Sequence, residues 1–163
     1  MSAPLRRVTR TAEETEALGA ALACALPAGD PLLVAHLHGD LGAGKTTLVR
    51  GLLRQLGHAG AVRSPTYTLF EIYEVGGHTV LHADLYRLQD PDELENLGLR
   101  DFAVPGWVWL VEWPQKGGER LPAADLRLDL SVIDAGHVIE QRGKTPAGER
   151  WLSGLARAGQ SQA

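Results

Sequence analysis

The sequence predicts an α/β protein of three layers, in which helices flank a mixed central sheet. A short apolar run, Leu32 to His38, leads through a glycine-rich loop into a helical pattern from Lys45 to Leu56. The continuous apolar run Trp107 to Val111 is typical of a buried central strand. Gly76-Gly77 separates two alternating runs and predicts a β-hairpin, so the sheet is not purely parallel.

Size and composition indicate one globular domain. The chain has 163 residues, of which 44% are hydrophobic and 22% charged, the balance of a domain with its own core. We expect residues 1–158 to form this domain and residues 159–163 to be a disordered tail. The formal net charge of −4 gives no overall basic field for nucleic acid or an anionic membrane.

The sequence predicts a cytoplasmic location. No apolar run approaches the roughly 18 residues needed to span a bilayer. Glutamates precede the apolar stretch Leu18 to Leu26, where a secretory signal would carry positive charge. The single cysteine, Cys24, lies in an Ala- and Leu-rich helix and is expected to be a small buried side chain.

The first helix has a clear start. Residues 1–10 could be a short arm or an edge strand. Thr11, followed three residues later by Glu14, has the form of a capping box. The helix carries an apolar face and ends before Pro27.

The segment Gly39 to Thr46 reads G-x-x-x-x-G-K-T, the phosphate-binding loop of nucleoside-triphosphate proteins. Its glycines permit positive φ, so that successive N–H groups can converge on phosphate oxygens. Lys45 would reach the terminal phosphates, and the Thr46 hydroxyl would coordinate Mg²⁺. A strand before the loop and a helix after it are the context that the motif requires. The predicted fold is therefore P-loop NTPase-like, with an inserted β-hairpin.

After the loop helix, predicted β-hairpins alternate with predicted helices. The inserted hairpin runs from Leu69 to Leu85, and Asp90-Pro91 starts a short helix that ends near Gly98. Residues 125–133 alternate strictly and pair with residues 137–142 in a second hairpin. Ala147 to Ala158 forms a closing helix.

Two strand-end carboxylates are candidates for the metal-holding group. Glu112 ends the strand that contains Val111, and Asp84 ends the returning strand of the hairpin. Ligands collect at this edge of open α/β sheets. The hydroxyl-rich segment Ser64 to Thr68 is either a nucleotide-responsive switch or a simple turn. We expect His36, His38 and His82 to be core or phosphate-side histidines and not a metal site, and Trp107 and Trp109 to be core.

Four segments together resemble the TsaE (YjeE) family, the ATPases of bacterial tRNA threonylcarbamoyladenosine synthesis. Their order and spacing resemble those of the family over about residues 10–130, most of the chain. The matching segments are Gly39-Asp40-Leu41-Gly42-Ala43-Gly44-Lys45-Thr46-Thr47, Ser64-Pro65-Thr66-Tyr67, His82-Ala83-Asp84-Leu85-Tyr86-Arg87 and Val111-Glu112-Trp113-Pro114.

The resemblance implies binding and slow hydrolysis of ATP with Mg²⁺. It implies a complex with the TsaB and TsaD proteins that modifies tRNAs reading codons that begin with A, with tRNA contacted only through that complex. Catalytic roles would fall to Lys45, Asp84 and Glu112, and metal binding to Thr46 and Glu112. The nucleotide would contact Leu41, Gly42, Ala43, Gly44, Lys45, Thr46, Thr47, Thr11 and Trp113.

Two other functions remain open on the sequence. A small-molecule kinase would carry the same loop but needs an Arg-rich lid, and the nearest candidate, Gln115 to Leu121, holds only Lys116 and Arg120. A non-catalytic, ATP-gated assembly factor would use the same residues as the ATPase. ATP is expected over GTP because the chain has no Asn-Lys-x-Asp element.

Overall fold

The computed structural model describes residues 2–29 and 31–160. Within these residues the chain forms one seven-stranded sheet with helices packed on it. The strands are β1 Leu5–Thr9, β2 Leu33–His38, β3 Phe70–Val75, β4 His78–Asp84, β5 Val108–Glu112, β6 Leu126–Ile133 and β7 Gly136–Gly143. The α-helices are α1 Ala12–Cys24, α2 Lys45–Leu56, α3 Asp92–Asn96 and α4 Pro146–Gln160, and short 3₁₀ turns span Leu99–Phe102, Pro114–Lys116 and Gly118–Arg120.

The sheet is mixed, as predicted. Its order is β1-β7-β6-β2-β5-β4-β3. The central strand β2 runs parallel to β5 and β6, and β4 runs parallel to β5. The inserted hairpin adds β3 antiparallel to β4 at one edge. At the other edge β1 pairs with β7, so Leu5–Thr9 form an edge strand and not a free arm.

One face of the sheet carries the larger core, formed with α1, α2 and α4. Leu22, Leu48, Leu52 and Trp151 are almost fully buried there. Helices α1 and α2 cross at two glycines. A Cβ on Gly51 would lie 2.0 Å from the backbone oxygen of Glu16, and one on Gly19 would lie 2.1 Å from that of Leu48. This close approach fixes α2, and with it the start of the helix at the phosphate loop.

The second face is covered over one part only. Leu94 of α3 and Leu99 of the following turn pack with Trp109 of β5 in a second cluster. Over β2 and β6 the same face carries partly buried polar side chains, among them His36 and Arg127. The third layer therefore sits over the side of the sheet that holds β4 and β5.

The expectation that Cys24 is buried is wrong. Its side chain is exposed, because two residues along a helix turn it about 200° away from Leu22, which faces the core. Val132, expected to alternate inward with its neighbours, is also exposed, since β6 and β7 run past the core at their hairpin end.

Helix α4 continues to Gln160, two residues into the stretch expected to be a disordered tail. The rest of that stretch, residues 161–163, lies outside the described residues. No helix in residues 2–29 and 31–160 is both long and apolar enough to cross a bilayer.

Candidate nucleotide-binding site

The phosphate-loop motif lies between β2 and α2, as the sequence predicts. Gly42 and Gly44 have φ of 80° and 99°, values that a side chain would strain. Gly44 is also the N-cap of α2 and places no side-chain hydrogen bond on the first-turn amides. These N–H groups and the positive end of the helix form a site suited to an anion.

A cleft of about 350 Å³ opens at this helix start, within the size range of ligand pockets. The loop residues predicted to contact a nucleotide all line it, and the other predicted residues except Thr11 join them. The loop residues are Leu41, Gly42, Ala43, Gly44, Lys45, Thr46 and Thr47, and the others are Asp84, Glu112 and Trp113.

Thr11 has a capping role in the structure. Its hydroxyl accepts a hydrogen bond from the Glu14 N–H at 3.1 Å, and the Glu14 carboxylate in turn accepts from the Arg10 N–H. The Thr11 half of the predicted capping box is present, whereas the Glu14 carboxylate bonds the N–H one residue before the cap and not that of Thr11 itself. Ala12 and Thr15, from the same helix start, line the cleft where Thr11 was expected.

The two residues predicted to hold a metal ion are in direct contact. The Thr46 hydroxyl donates to Glu112, with its Oγ1 atom 2.9 Å from Oε2 and 3.1 Å from Oε1. The Glu112 residue is 2% exposed and stands at the end of β5, beside Leu37 of β2 in register. Because this donor set is a hydroxyl and a carboxylate, it suits Mg²⁺, which takes oxygen ligands and keeps some from phosphates and water.

Lys45 lies close to the Glu112 and Asp84 carboxylates. Its ammonium group donates to the backbone oxygens of Gly39 and Asp40 and lies 3.9 Å from the centroid of the Trp113 ring. Burial lowers the pKa of Lys45, while the negative charges of Glu112 and Asp84 oppose the shift. The lysine is therefore held at the mouth of the loop, between two carboxylates and an aromatic ring.

Asp84 is tied to the segment that was predicted as a switch. Its Oδ2 atom accepts from the Ser64 hydroxyl, and its Oδ1 atom accepts from the Tyr86 N–H at 3.0 Å. The Asp84 N–H donates to the Leu69 oxygen at 2.8 Å, and the Leu69 N–H donates to the Pro65 oxygen at 2.7 Å. Leu69 has a φ of 70°, an uncommon value for a residue with a side chain.

Three side-chain contacts beside the cleft were not predicted from the sequence. His82 lies in the core, as expected, but its Nε2 atom is 2.6 Å from Glu112 Oε2. His137 faces the Gly42 oxygen at 3.2 Å, and the Tyr86 ring lies 5.0 Å from that of Trp113. His82 and Tyr86 had a signal in the sequence, since both lie in the family-like segment around Asp84, whereas His137 had none.

The histidines form no metal site in the described part of the chain. His36 and His38 lie on one face of β2 with ring centroids 6.5 Å apart. In residues 2–29 and 31–160, no group of three or more His, Cys, Asp or Glu side chains is placed to hold a metal ion. The candidate site for Mg²⁺ rests on the contact between the Thr46 hydroxyl and the Glu112 carboxylate.

Comparisons with known proteins agree with the motifs. The model of the family described as "Threonylcarbamoyl adenosine biosynthesis protein TsaE" matches residues 9–141. The "tRNA threonylcarbamoyladenosine biosynthesis protein TsaE" of Haemophilus influenzae is 45% identical over 124 residues, 76% of this chain and 78% of the relative. The protein of that name from Streptomyces coelicolor is 42% identical over 141 residues, 83% of this chain and 93% of the relative.

The fold agrees as well. The crystal structure of Bacillus subtilis YdiB superimposes with a TM-score of 0.76 at 32% sequence identity, covering 97% of each chain. This likeness confirms the predicted P-loop NTPase-like α/β fold with a mixed sheet. On the family model, the relatives and the solved structure, this chain belongs to the TsaE family.

Proposed function

We propose that this chain is a Mg²⁺-dependent ATPase with low intrinsic turnover. In this proposal its nucleotide cycle drives a complex of the TsaB and TsaD proteins in the formation of threonylcarbamoyladenosine. The tRNA is contacted only through that complex, which agrees with the chain's formal net charge of −4. The names of the relatives, which refer to this tRNA modification, support the pathway.

One observation carries the ATPase proposal. The Thr46 hydroxyl and the Glu112 carboxylate meet at 2.9 Å beside Lys45, at the start of α2. The strand-end carboxylate and the loop hydroxyl are the two protein ligands that P-loop enzymes give to Mg²⁺. When bound, the ion would neutralise charge on the β- and γ-phosphate oxygens. The amides of the loop and Lys45 would orient the phosphates.

Low turnover follows from the contacts of Asp84. Both of its carboxylate oxygens already accept hydrogen bonds, from Ser64 and from the Tyr86 N–H. A general base must reach the proton that it removes. These two partners hold the Asp84 carboxylate in one orientation, and a bound partner protein could turn it toward the attacking water.

Phosphate release, measured with and without TsaB and TsaD, tests the proposal. We expect slow Mg²⁺-dependent hydrolysis of ATP by the chain alone and faster hydrolysis with the pair. Lys45→Ala should abolish turnover, and Glu112→Ala should remove it or its dependence on Mg²⁺. The matched control is Lys116→Ala, which removes an exposed lysine from the turn after the cleft. Retained Mg²⁺-dependent turnover in Glu112→Ala would show that another carboxylate holds the metal ion.

A second function, an ATP-gated assembly factor without a catalytic role, is favoured by the same contacts of Asp84. If ATP only sets a conformation, then binding to TsaB and TsaD would need ATP but not its hydrolysis. A nonhydrolysable ATP analogue that supports full assembly and full tRNA modification would favour this function over the ATPase.

A small-molecule kinase is less well supported. Arg120, in the segment closest to a lid, pairs with Asp92 at 2.7 Å and with Glu95 at 3.3 Å. These contacts hold its guanidinium group against α3, so it is not placed to close over phosphates. A screen of small hydroxyl compounds for ATP-dependent phosphorylation would test the kinase directly.

A further inference from the structure

His82 is a buried histidine that contacts the candidate metal ligand. It lies on β4, two residues before Asp84, and is 0% exposed. Its Nε2 atom is 2.6 Å from Oε2 of Glu112 on the neighbouring strand β5. Since a carboxylate oxygen accepts, Nε2 is the nitrogen that carries the hydrogen. The other nitrogen, Nδ1, is buried and has no hydrogen-bond partner among the described residues.

Packing alone does not explain a histidine at this position. Val80, on the same face of β4, is fully buried in the apolar core, and an apolar side chain at position 82 would fill the site without burying an unpaired nitrogen. Among the described residues, the one hydrogen bond of the imidazole goes to Glu112. The side chain therefore acts on the carboxylate.

The hydrogen bond from His82 gives the two oxygens of Glu112 different numbers of donors. Oε2 accepts from both Thr46 and His82, whereas Oε1 accepts from Thr46 alone at 3.1 Å. A buried carboxylate held by two donors cannot rotate without losing hydrogen bonds, which is costly in a buried environment. His82 thus fixes the plane of the carboxylate and leaves Oε1 with the fewer partners.

We propose that His82 is a positioning residue that orients Glu112 to hold a divalent cation together with Thr46. This inference rests on the proposed function, since it assumes that Glu112 binds Mg²⁺. Outer residues that orient a ligand typically change metal affinity by about 10- to 100-fold when they are replaced.

Two amide substitutions separate the hydrogen bond from the bulk of the side chain. In His82→Gln the amide nitrogen can reach the position of Nε2 and still donate to Glu112. In His82→Asn the amide is one bond shorter and cannot reach. The matched control is His36→Asn. His36 is a partly buried histidine on β2 whose Nε2 atom lies 3.2 Å from the Pro122 oxygen.

The readout is Mn²⁺ binding in the presence of ADP, measured by electron paramagnetic resonance, with ADP binding in EDTA measured in parallel. We expect His82→Asn to weaken Mn²⁺ binding about 10-fold or more and His82→Gln to stay within about threefold of the unmodified chain. ADP binding in EDTA and Mn²⁺ binding by His36→Asn should not change. Equal Mn²⁺ affinity in His82→Asn and the unmodified chain would overturn the inference and leave the proposed function intact. No nucleotide-dependent Mn²⁺ binding by the unmodified chain would overturn both.

Two further measurements apply if His82→Asn does not fold. His82→Leu fills the site without an amide, and it should lose Mn²⁺ affinity to the same degree. In the unmodified chain, nitrogen-15 NMR of the histidine rings should show His82 with its hydrogen on Nε2 and in slow exchange with water. A ring with the hydrogen on Nδ1 would overturn the inference without any substitution.

Discussion

The hydrogen bond from Ser64 to Asp84 allows a quantitative prediction about the segment beside the cleft. Ser64→Ala removes the hydroxyl that donates a hydrogen bond to Asp84 Oδ2. Asp84 is only 5% exposed, so water replaces the hydroxyl poorly. A hydrogen bond to a charged group contributes about 1.5–3 kcal/mol, which corresponds to roughly a 10- to 100-fold change in an equilibrium constant.

Hydrogen exchange at the Leu69 amide reports this change. The Leu69 N–H is bonded to the Pro65 oxygen at 2.7 Å and exchanges when the segment opens. In Ser64→Ala we expect its exchange rate to rise by about 10- to 100-fold, the factor given by the lost hydrogen bond.

Thr68→Ala is the matched control for this measurement. Thr68 lies in the same segment, is exposed, and makes no side-chain hydrogen bond to the described residues. If Ser64→Ala speeds exchange at Leu69 no more than Thr68→Ala does, then the Ser64 hydroxyl does not hold the segment and the argument fails.

Three further predictions concern stability. Gly51→Ala should lower Tm by several degrees. The new Cβ atom would lie 2.0 Å from the backbone oxygen of Glu16, and such overpacking costs about 1–3 kcal/mol. Gly154→Ala is the control, because the nearest atoms to its Cβ would be 3.3 Å away. The pKa of His36 is lowered from 6.5 to about 4, above all by burial. Between these two pH values the unfolded chain binds a proton that the folded chain excludes, so the free energy of unfolding falls as the pH drops. His36→Gln should therefore flatten the dependence of Tm on pH in this range, and an unchanged slope would refute the prediction. Gln141, 0% exposed, has no partner for either side-chain polar atom among the described residues, so Gln141→Met should raise Tm by about 2–4 °C for each kcal/mol gained, whereas a lower Tm would mean that the amide is satisfied.

The sequence predicts the phosphate loop well because its information is local. The spacing of Gly39, Gly44, Lys45 and Thr46 places a loop at a helix start whatever the rest of the chain does. The carboxylate Glu112 could be found because it ends an apolar run, and parallel strands bring their ends to one edge. These residues line the same cleft in the structure.

The contacts between strands could not be predicted in the same way. The bond between His82 and Glu112 depends on the register of β4 against β5, in which Asp84 lies opposite Glu112. Register comes from the packing of the whole sheet and leaves no local pattern. A helical pattern likewise does not tell which way the last turn of a helix faces, which is why the expectation for Cys24 was wrong.

The same register explains how two adjacent carboxylates can serve different purposes. Asp84 and Glu112 are direct partners across β4 and β5, yet their hydrogen bonds run to different parts of the molecule. Glu112 is held by Thr46 and His82, both on fixed elements of the core, whereas Asp84 is held by Ser64 and the Tyr86 N–H, both in connecting segments. A protein that displaced the Ser64 segment would therefore alter the surroundings of Asp84 while Glu112 kept its donors. In the proposed ATPase, this separation would let a partner change the rate of hydrolysis without releasing the metal ion.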